Sequence, residues 1–250
     1  MTNTINSLQN GFSAYMVRGT DFLSSMSLSN LLFLVTIVLF FVSLIVSASV
    51  KSKFRRYSKV RAQNGMTGAQ AAQRILYSNG INNVSIGVIR GTLTDNYNPV
   101  NRHLNLSEAV YGSNSVAAIA VAAHECGHAI QHARHDPLMM IRKLIVPVCN
   151  IGSTGSYIAV LLGLIFSNYH LVTIGAYLFA GIVVFNLITL PVEINASRRA
   201  MRQIAELNIL QEDEMPGARK VLFAAAMTYF ISLVTAIVQF ARLLALANRR

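Results

Sequence analysis

Four long apolar runs constrain this chain more than anything else in it. Residues 31–50 hold no charged side chain, and runs of similar character occupy 144–166, 171–190 and 221–240. About twenty apolar residues in helical form cross a hydrocarbon core. Inside lipid every backbone polar group must find its partner within the chain, so such runs become helices. Charged residues make up only 12% of the sequence, half of what soluble chains carry, and 53% of it is hydrophobic. The expected fold class is therefore a mainly α integral membrane protein with about four transmembrane helices.

The distribution of positive charge supplies an orientation. Six basic residues crowd into 51–61, directly after the first run, whereas only Arg18 is basic before it. By the positive-inside rule this places the N-terminus outside and residue 51 onward in the cytoplasm. The second and third runs are separated only by Ser167, Asn168, Tyr169 and His170, so they form a hairpin. Arg142 and Lys143 before it, and Arg198, Arg199 and Arg202 after it, put both its ends on the cytoplasmic side. If 221–240 also spans, Arg242, Arg249 and Arg250 emerge outside, slightly against the bias. The alternative is a helix packed shallowly on the cytoplasmic leaflet. The net charge of +11 is thus read as topology and contact with a lipid bilayer, with no nucleic acid expected as partner. No basic region precedes the first run, which argues against a cleaved signal peptide. Cys126 and Cys149 form no C-x-x-C pair and no disulfide framework.

The chemistry sits in the longest polar stretch. His124-Glu125-Cys126-Gly127-His128 is an H-E-x-x-H pentad. With 6 His and 6 Glu in the chain, chance would supply about 0.003 such matches. On a helix, positions i and i+4 share one face, so His124 and His128 can bind one Zn²⁺. Glu125 lies about 100° round the helix, poorly placed as a ligand and well placed to touch a water on the metal. Burying two histidines and a glutamate behind the Ala-rich run 116–123 would be costly without a metal to pair them. One zinc ion per chain is expected.

A catalytic zinc usually takes three protein ligands and keeps one position open. His132 would stretch the set over about 12 Å of one helix, too far for a single ion. Arg134 occupies the i+10 position where one peptidase group carries its third histidine, and His135 lies too near the helix end. Glu193 follows a run that returns the chain to the cytoplasmic face, where the pentad also lies, and it is the favoured third ligand. A headgroup-level glutamate paired with Arg198 or Arg199 is the competing reading, and Glu108, Glu206 and Glu212 compete weakly.

Around the pentad, Thr67 and Gln70 read as a capping box opening a short helix that Gly80 stops. Residues 84–89 and 102–106 read as two short strands of a small hairpin, with Asp95, Asn96, Tyr97, Asn98 and Pro99 as turn chemistry. The pentad helix begins near Ser113 to Ser115 and ends before Asp136-Pro137. The expected organisation is an extracytoplasmic tail over 1–27, a first span over 28–50, a small α+β zincin-like cytoplasmic region over 51–143, a transmembrane hairpin over 144–192, a third-ligand helix and turn over 193–220, and a fourth span with its tail over 221–250.

The stretches AVAAHECGHAIQHA, LTDNYNPVNRHLNLSEAVY and LPVEINASRRA together resemble the bacterial YugP-like neutral zinc metallopeptidases, over roughly residues 30–245. These are multi-pass membrane proteases of the cell membrane, distantly similar to the HtpX and CAAX-type peptidases. The resemblance implies His124, His128 and Glu193 as zinc ligands and Glu125 as the catalytic residue. In HtpX-like enzymes an aspartate follows the ligand glutamate by four residues. Here Ser197 stands in that place and would make a weaker hydrogen bond to a ligand histidine.

The reading that follows is hydrolysis of peptide bonds by a zinc-activated water, with Glu125 as general base and a polypeptide, membrane proteins included, as substrate. Tyr97, His103 and Tyr111 are candidates for the second oxyanion donor. Two rivals stand beside it. A site-2-type intramembrane protease would need the pentad inside a long apolar span. A non-catalytic zinc-binding membrane protein would need a closed site with four ligands.

Overall fold

The computed structural model describes residues 26–248. The expected outer tail over 1–27 and the terminal Arg249 and Arg250 therefore lie almost wholly outside the described residues. Seven helices and three strands follow in order: α1 (Leu28–Tyr57), α2 (Gly68–Ser78), β1 (Ser85–Ile89), β2 (Asn96–Asn98), β3 (His103–Ser107), α3 (Glu108–Tyr111), α4 (Val116–Ala133), α5 (Pro137–Ile165), α6 (Tyr169–Glu206) and α7 (Met215–Ala247). Among them α1, α5, α6 and α7 are long and apolar enough to cross a membrane.

These four helices form a curved row, α5 against α6, α6 against α7 and α7 against α1. At 1.5 Å per residue the 38 residues of α6 reach about 57 Å, well beyond a hydrocarbon core of about 30 Å. The excess carries α6 past Pro191 as one helix into the polar region, where its far end packs on α4. The capping box of α2 is formed, with Thr67 Oγ1 accepting from the Gln70 N–H and Gln70 Oε1 accepting from the Thr67 N–H. Ser115 caps α4 by accepting from the Ala118 N–H.

α4 is the centre of the polar region. Ala117, Ala118, Ala120, Ala122 and Ala123 are all fully buried, and these small side chains let α2, α6 and α7 approach its backbone closely. The core continues into Ile75 of α2, Leu104 and Leu106 of β3, and Ile204 of α6.

The sheet differs from the expected hairpin. Its order is β1-β3-β2: β1 pairs with β3 in parallel, Ser85 opposite His103, and β2 pairs with β3 antiparallel, Asn96 opposite Asn105. The segment read as turn chemistry supplies the third strand. Two side chains explain this. Tyr97 is buried against the core, and the Asp95 carboxylate accepts from the Ser107 N–H at 2.7 Å and the Ser107 hydroxyl at 3.0 Å, pinning the start of β2 to the end of β3. Leu93, with φ of 60°, and Gly91, with φ of 111°, turn the chain between the two edges.

Candidate metal centre and active site

His124 and His128 lie one turn apart on α4, their ring centroids 4.8 Å apart and their planes at 86°. Glu193, from α6, completes the group. Its Oε2 lies 3.2 Å from His124 Nε2 and 3.4 Å from His128 Nε2. The three donor atoms sit within 4.8 Å of one another. The approach of α6 depends on Gly127, the fourth residue of the pentad. A Cβ there would stand 2.5 Å from the Ala196 carbonyl oxygen, so a bare Cα is what brings the two helices together.

The hydrogen bonds around the rings set the tautomer of His128 and suit the same tautomer in His124. His128 Nδ1 lies 2.9 Å from Gln131 Oε1. The Gln131 amide nitrogen donates to the Val192 carbonyl and to Asn195 Oδ1, so its oxygen is the atom left for the ring, and His128 Nδ1 is the donor. His124 Nδ1 lies 3.1 Å from the Ser197 hydroxyl, a group able to accept from it. With both Nδ1 atoms donating, both Nε2 atoms carry bare lone pairs aimed at a carboxylate oxygen. Three acceptors converging in a buried site repel one another unless a cation sits between them. Two imidazoles and one carboxylate are also the donor set a catalytic Zn²⁺ takes. On these two grounds the residues fit the metal.

Arg142 of α5 holds the remaining oxygen of the Glu193 carboxylate, Nη1 to Oε1 at 2.7 Å. This charge-assisted bond leaves Oε2 free to face the rings. A cleft of about 390 Å³ opens over the site, walled by Tyr97 and Val100 from the β2 side, Met139 and Arg142 from α5 and Tyr229 from α7. Glu125 lines the cleft beside the rings. Burial pushes its carboxyl up to about 7, with the Glu193 and Asp95 charges acting the same way and His124 opposing them. Burial likewise raises the Cys126 thiol strongly, and that side chain packs against the Ala72 carbonyl of α2, away from the cleft.

The residues expected from sequence are thus partly assembled. Glu125, His124, His128 and Glu193 converge, and Ser197 reaches His124. Tyr97 lines the cleft, with its hydroxyl 2.9 Å from His132 Nδ1. His103 and Tyr111 do not reach the cleft: His103 bonds Ser85 Oγ across the sheet at 2.6 Å, and Tyr111 lines a separate pocket with residues of α2. Tyr229 of α7 lines the cleft and lies against the Glu193 carboxylate. Gln131, Arg142 and Tyr229 were not foreseen as site residues. Tyr229 sits within an apolar run, and Arg142 carries the basic signature of a membrane flank. Among the described residues no fourth His, Cys, Asp or Glu joins the group, which leaves one tetrahedral position open.

A protein of Bacillus subtilis (strain 168), "Putative membrane protease YugP", is 44% identical over 193 residues, covering 77% of this chain and 86% of its own. No solved structure matches. The family model described as "Putative neutral zinc metallopeptidase" matches residues 32–248, nearly the whole chain, and the protein belongs to that family.

Proposed function

We propose that this protein is a membrane-bound zinc endopeptidase whose active site works at the cytoplasmic surface of the cell membrane. The observation that carries the reading is the convergence of Glu193, from beyond the membrane hairpin, on the two pentad imidazoles. When bound, Zn²⁺ acidifies a water and polarises the substrate carbonyl. His124, His128 and Glu193 would hold it. Ser197 and Gln131 keep both imidazoles in the tautomer that presents Nε2, and Arg142 orients the ligand carboxylate. Glu125 takes the proton from the attacking water and delivers it to the leaving amine; a carboxyl raised to about 7 suits both transfers near neutral pH. Tyr229 and Tyr97 stand where a phenol could donate to the developing oxyanion.

The substrate is an extended polypeptide. β2 is an edge strand of the sheet and borders the cleft, so its free edge offers main-chain hydrogen bonds to a strand laid beside it. Glu193 lies 24 residues into α6, about 36 Å from its start, which sets the site at the edge of a hydrocarbon core of about 30 Å. The eighteen-residue α4 is not among the candidate spans, which speaks against a site-2-type arrangement, and the open fourth position speaks against a purely structural zinc.

The test is Glu125→Gln in the purified full-length protein, with metal content and cleavage of a quenched peptide measured side by side. Zinc stays near one per chain, and cleavage falls by at least about 100-fold, the usual weight of a general base. Cleavage at the wild-type rate would refute the role given to Glu125.

A further inference from the structure

Below the catalytic cleft lies a second and larger cavity, of about 720 Å³, among the four long helices. The two are successive stretches of the same helix faces. On α5, Met139, Arg142 and Val146 line the cleft, and Asn150, Ser153 and Tyr157 continue into the cavity at steps of three and four residues. On α7, Tyr229 belongs to the cleft and Ser232, Thr235 and Gln239 to the cavity. On α6, Glu193 gives way to Asn186 and then Ile182. Steps of three, four and seven keep each helix facing the same way. Measured along the axes, Arg142 to Tyr157, Glu193 to Phe179 and Tyr229 to Arg242 each descend about 20 Å. Three helices thus carry the lining of the cleft and that of the cavity on the same faces, one beyond the other.

The cavity is open at its side. α5, α6, α7 and α1 pack as a row, and among the described residues α1 and α5 share no comparable interface. α1 supplies Thr36 and Ser43 to the far wall, so the mouth of the cavity lies between α1 and α5, towards lipid. The lining mixes apolar surface with the polar side chains of Asn150, Asn186, Ser232 and Gln239, which a lipid environment would disfavour. Ser43 and Ser153 donate to carbonyls of their own helix and keep lone pairs for a further donor.

We propose that this cavity binds the membrane-inserted segment of a polypeptide substrate, which enters sideways between α1 and α5 and is led up to the zinc site. The proposal rests on the peptidase reading and names its substrate class. Neutral donors and acceptors along about 20 Å match the backbone of some six extended residues. The one charged lining residue, Arg242, is stacked on Phe33 at 4.6 Å, so no cationic cluster awaits a lipid headgroup.

The experiment uses the zinc-loaded full-length protein in proteoliposomes with two probes, a reporter bearing one apolar membrane-spanning helix and a soluble quenched peptide. Ser153→Phe and Thr235→Leu should each lower reporter cleavage at least tenfold, with soluble-peptide cleavage within twofold of wild type and zinc still at one per chain. A photo-crosslinking residue at position 153, in the Glu125→Gln background, should capture the reporter. A parallel fall for both probes, unchanged reporter cleavage, or capture of phospholipid alone would overturn the proposal. If wild type cleaves neither probe, the peptidase reading fails, and the cross-link, which needs no turnover, still reports whether the segment occupies the cavity.

Discussion

Gln131 offers the sharpest test of how this site is held. It is fully buried, and its amide oxygen accepts from His128 Nδ1 at 2.9 Å. Gln131→Met keeps most of the volume and removes the acceptor. His128 is itself buried, so its Nδ1–H loses its partner, at a cost of about 1–3 kcal/mol. Without zinc, the ring can escape that cost by moving its proton to Nε2, where Glu193 Oε2 stands 3.4 Å away. Metal binding must then reverse the shift, so the cost appears in affinity. At 1.4 kcal/mol per factor of ten, zinc should bind about 10- to 100-fold more weakly, the range found when the partner of a ligand histidine is lost. The assay is competition with a chelator of known affinity in detergent, followed by peptide cleavage across a zinc titration. Excess zinc should restore the wild-type rate, because Glu125 and the cleft are untouched. A zinc Kd within threefold of wild type would refute the argument that Gln131 sets the tautomer.

Three further outcomes follow from the same geometry. Ser197→Asp replaces a neutral acceptor 3.1 Å from His124 Nδ1 by a charged one, and charge-assisted bonds are about twice as strong, so zinc affinity should rise several-fold by the same competition assay. Gly127→Ala sets a Cβ 2.5 Å from the Ala196 carbonyl oxygen; α6 must retreat by about 1 Å, overpacking costs about 1–3 kcal/mol, and Glu193 leaves ligand range, so zinc content should collapse while the helical circular dichroism stays near wild type. Arg142→Met strips the buried Glu193 carboxylate of its nearest cation, so the unfolding free energy should fall by about 1–3 kcal/mol for the zinc-free protein, once the partial exposure of Arg142 is discounted, and by less for the zinc-loaded one, read from denaturant titrations of both forms.

What the sequence made legible was whatever is local to one helix. The pentad declares itself because both imidazoles sit on the same turn-to-turn face, and the capping box at Thr67 and Gln70 spans only three residues. Glu193 could be picked out because the apolar run before it returns the chain to the right side. Gln131, Arg142 and Tyr229 were hidden because each acts across a gap between helices, and helix-to-helix distance has no signature in a single sequence. The pairing of β2 with β3 was hidden for a related reason. Asp95 reaches Ser107 twelve residues away, and that contact pins a run of turn residues beside β3 as a strand.

The same dependence ties the chemistry to the membrane. The three proposed ligands come from only two helices, and the distance between α4 and α6 is limited where Gly127 meets Ala196. α6 is at once the wall of the intramembrane cavity, through Asn186, and the carrier of Glu193. α5 holds that glutamate through Arg142 and lines the same cavity through Ser153. A segment pressing α5 away from α6 would therefore act on the Arg142–Glu193 pair before it reached the scissile position. On the proposed reading, the segment in the cavity and the Glu193 carboxylate are contacted by the same two helices, α5 and α6. A closed four-helix bundle with the same pentad would hold zinc equally well, but it would give a membrane-inserted chain no lateral way to the metal.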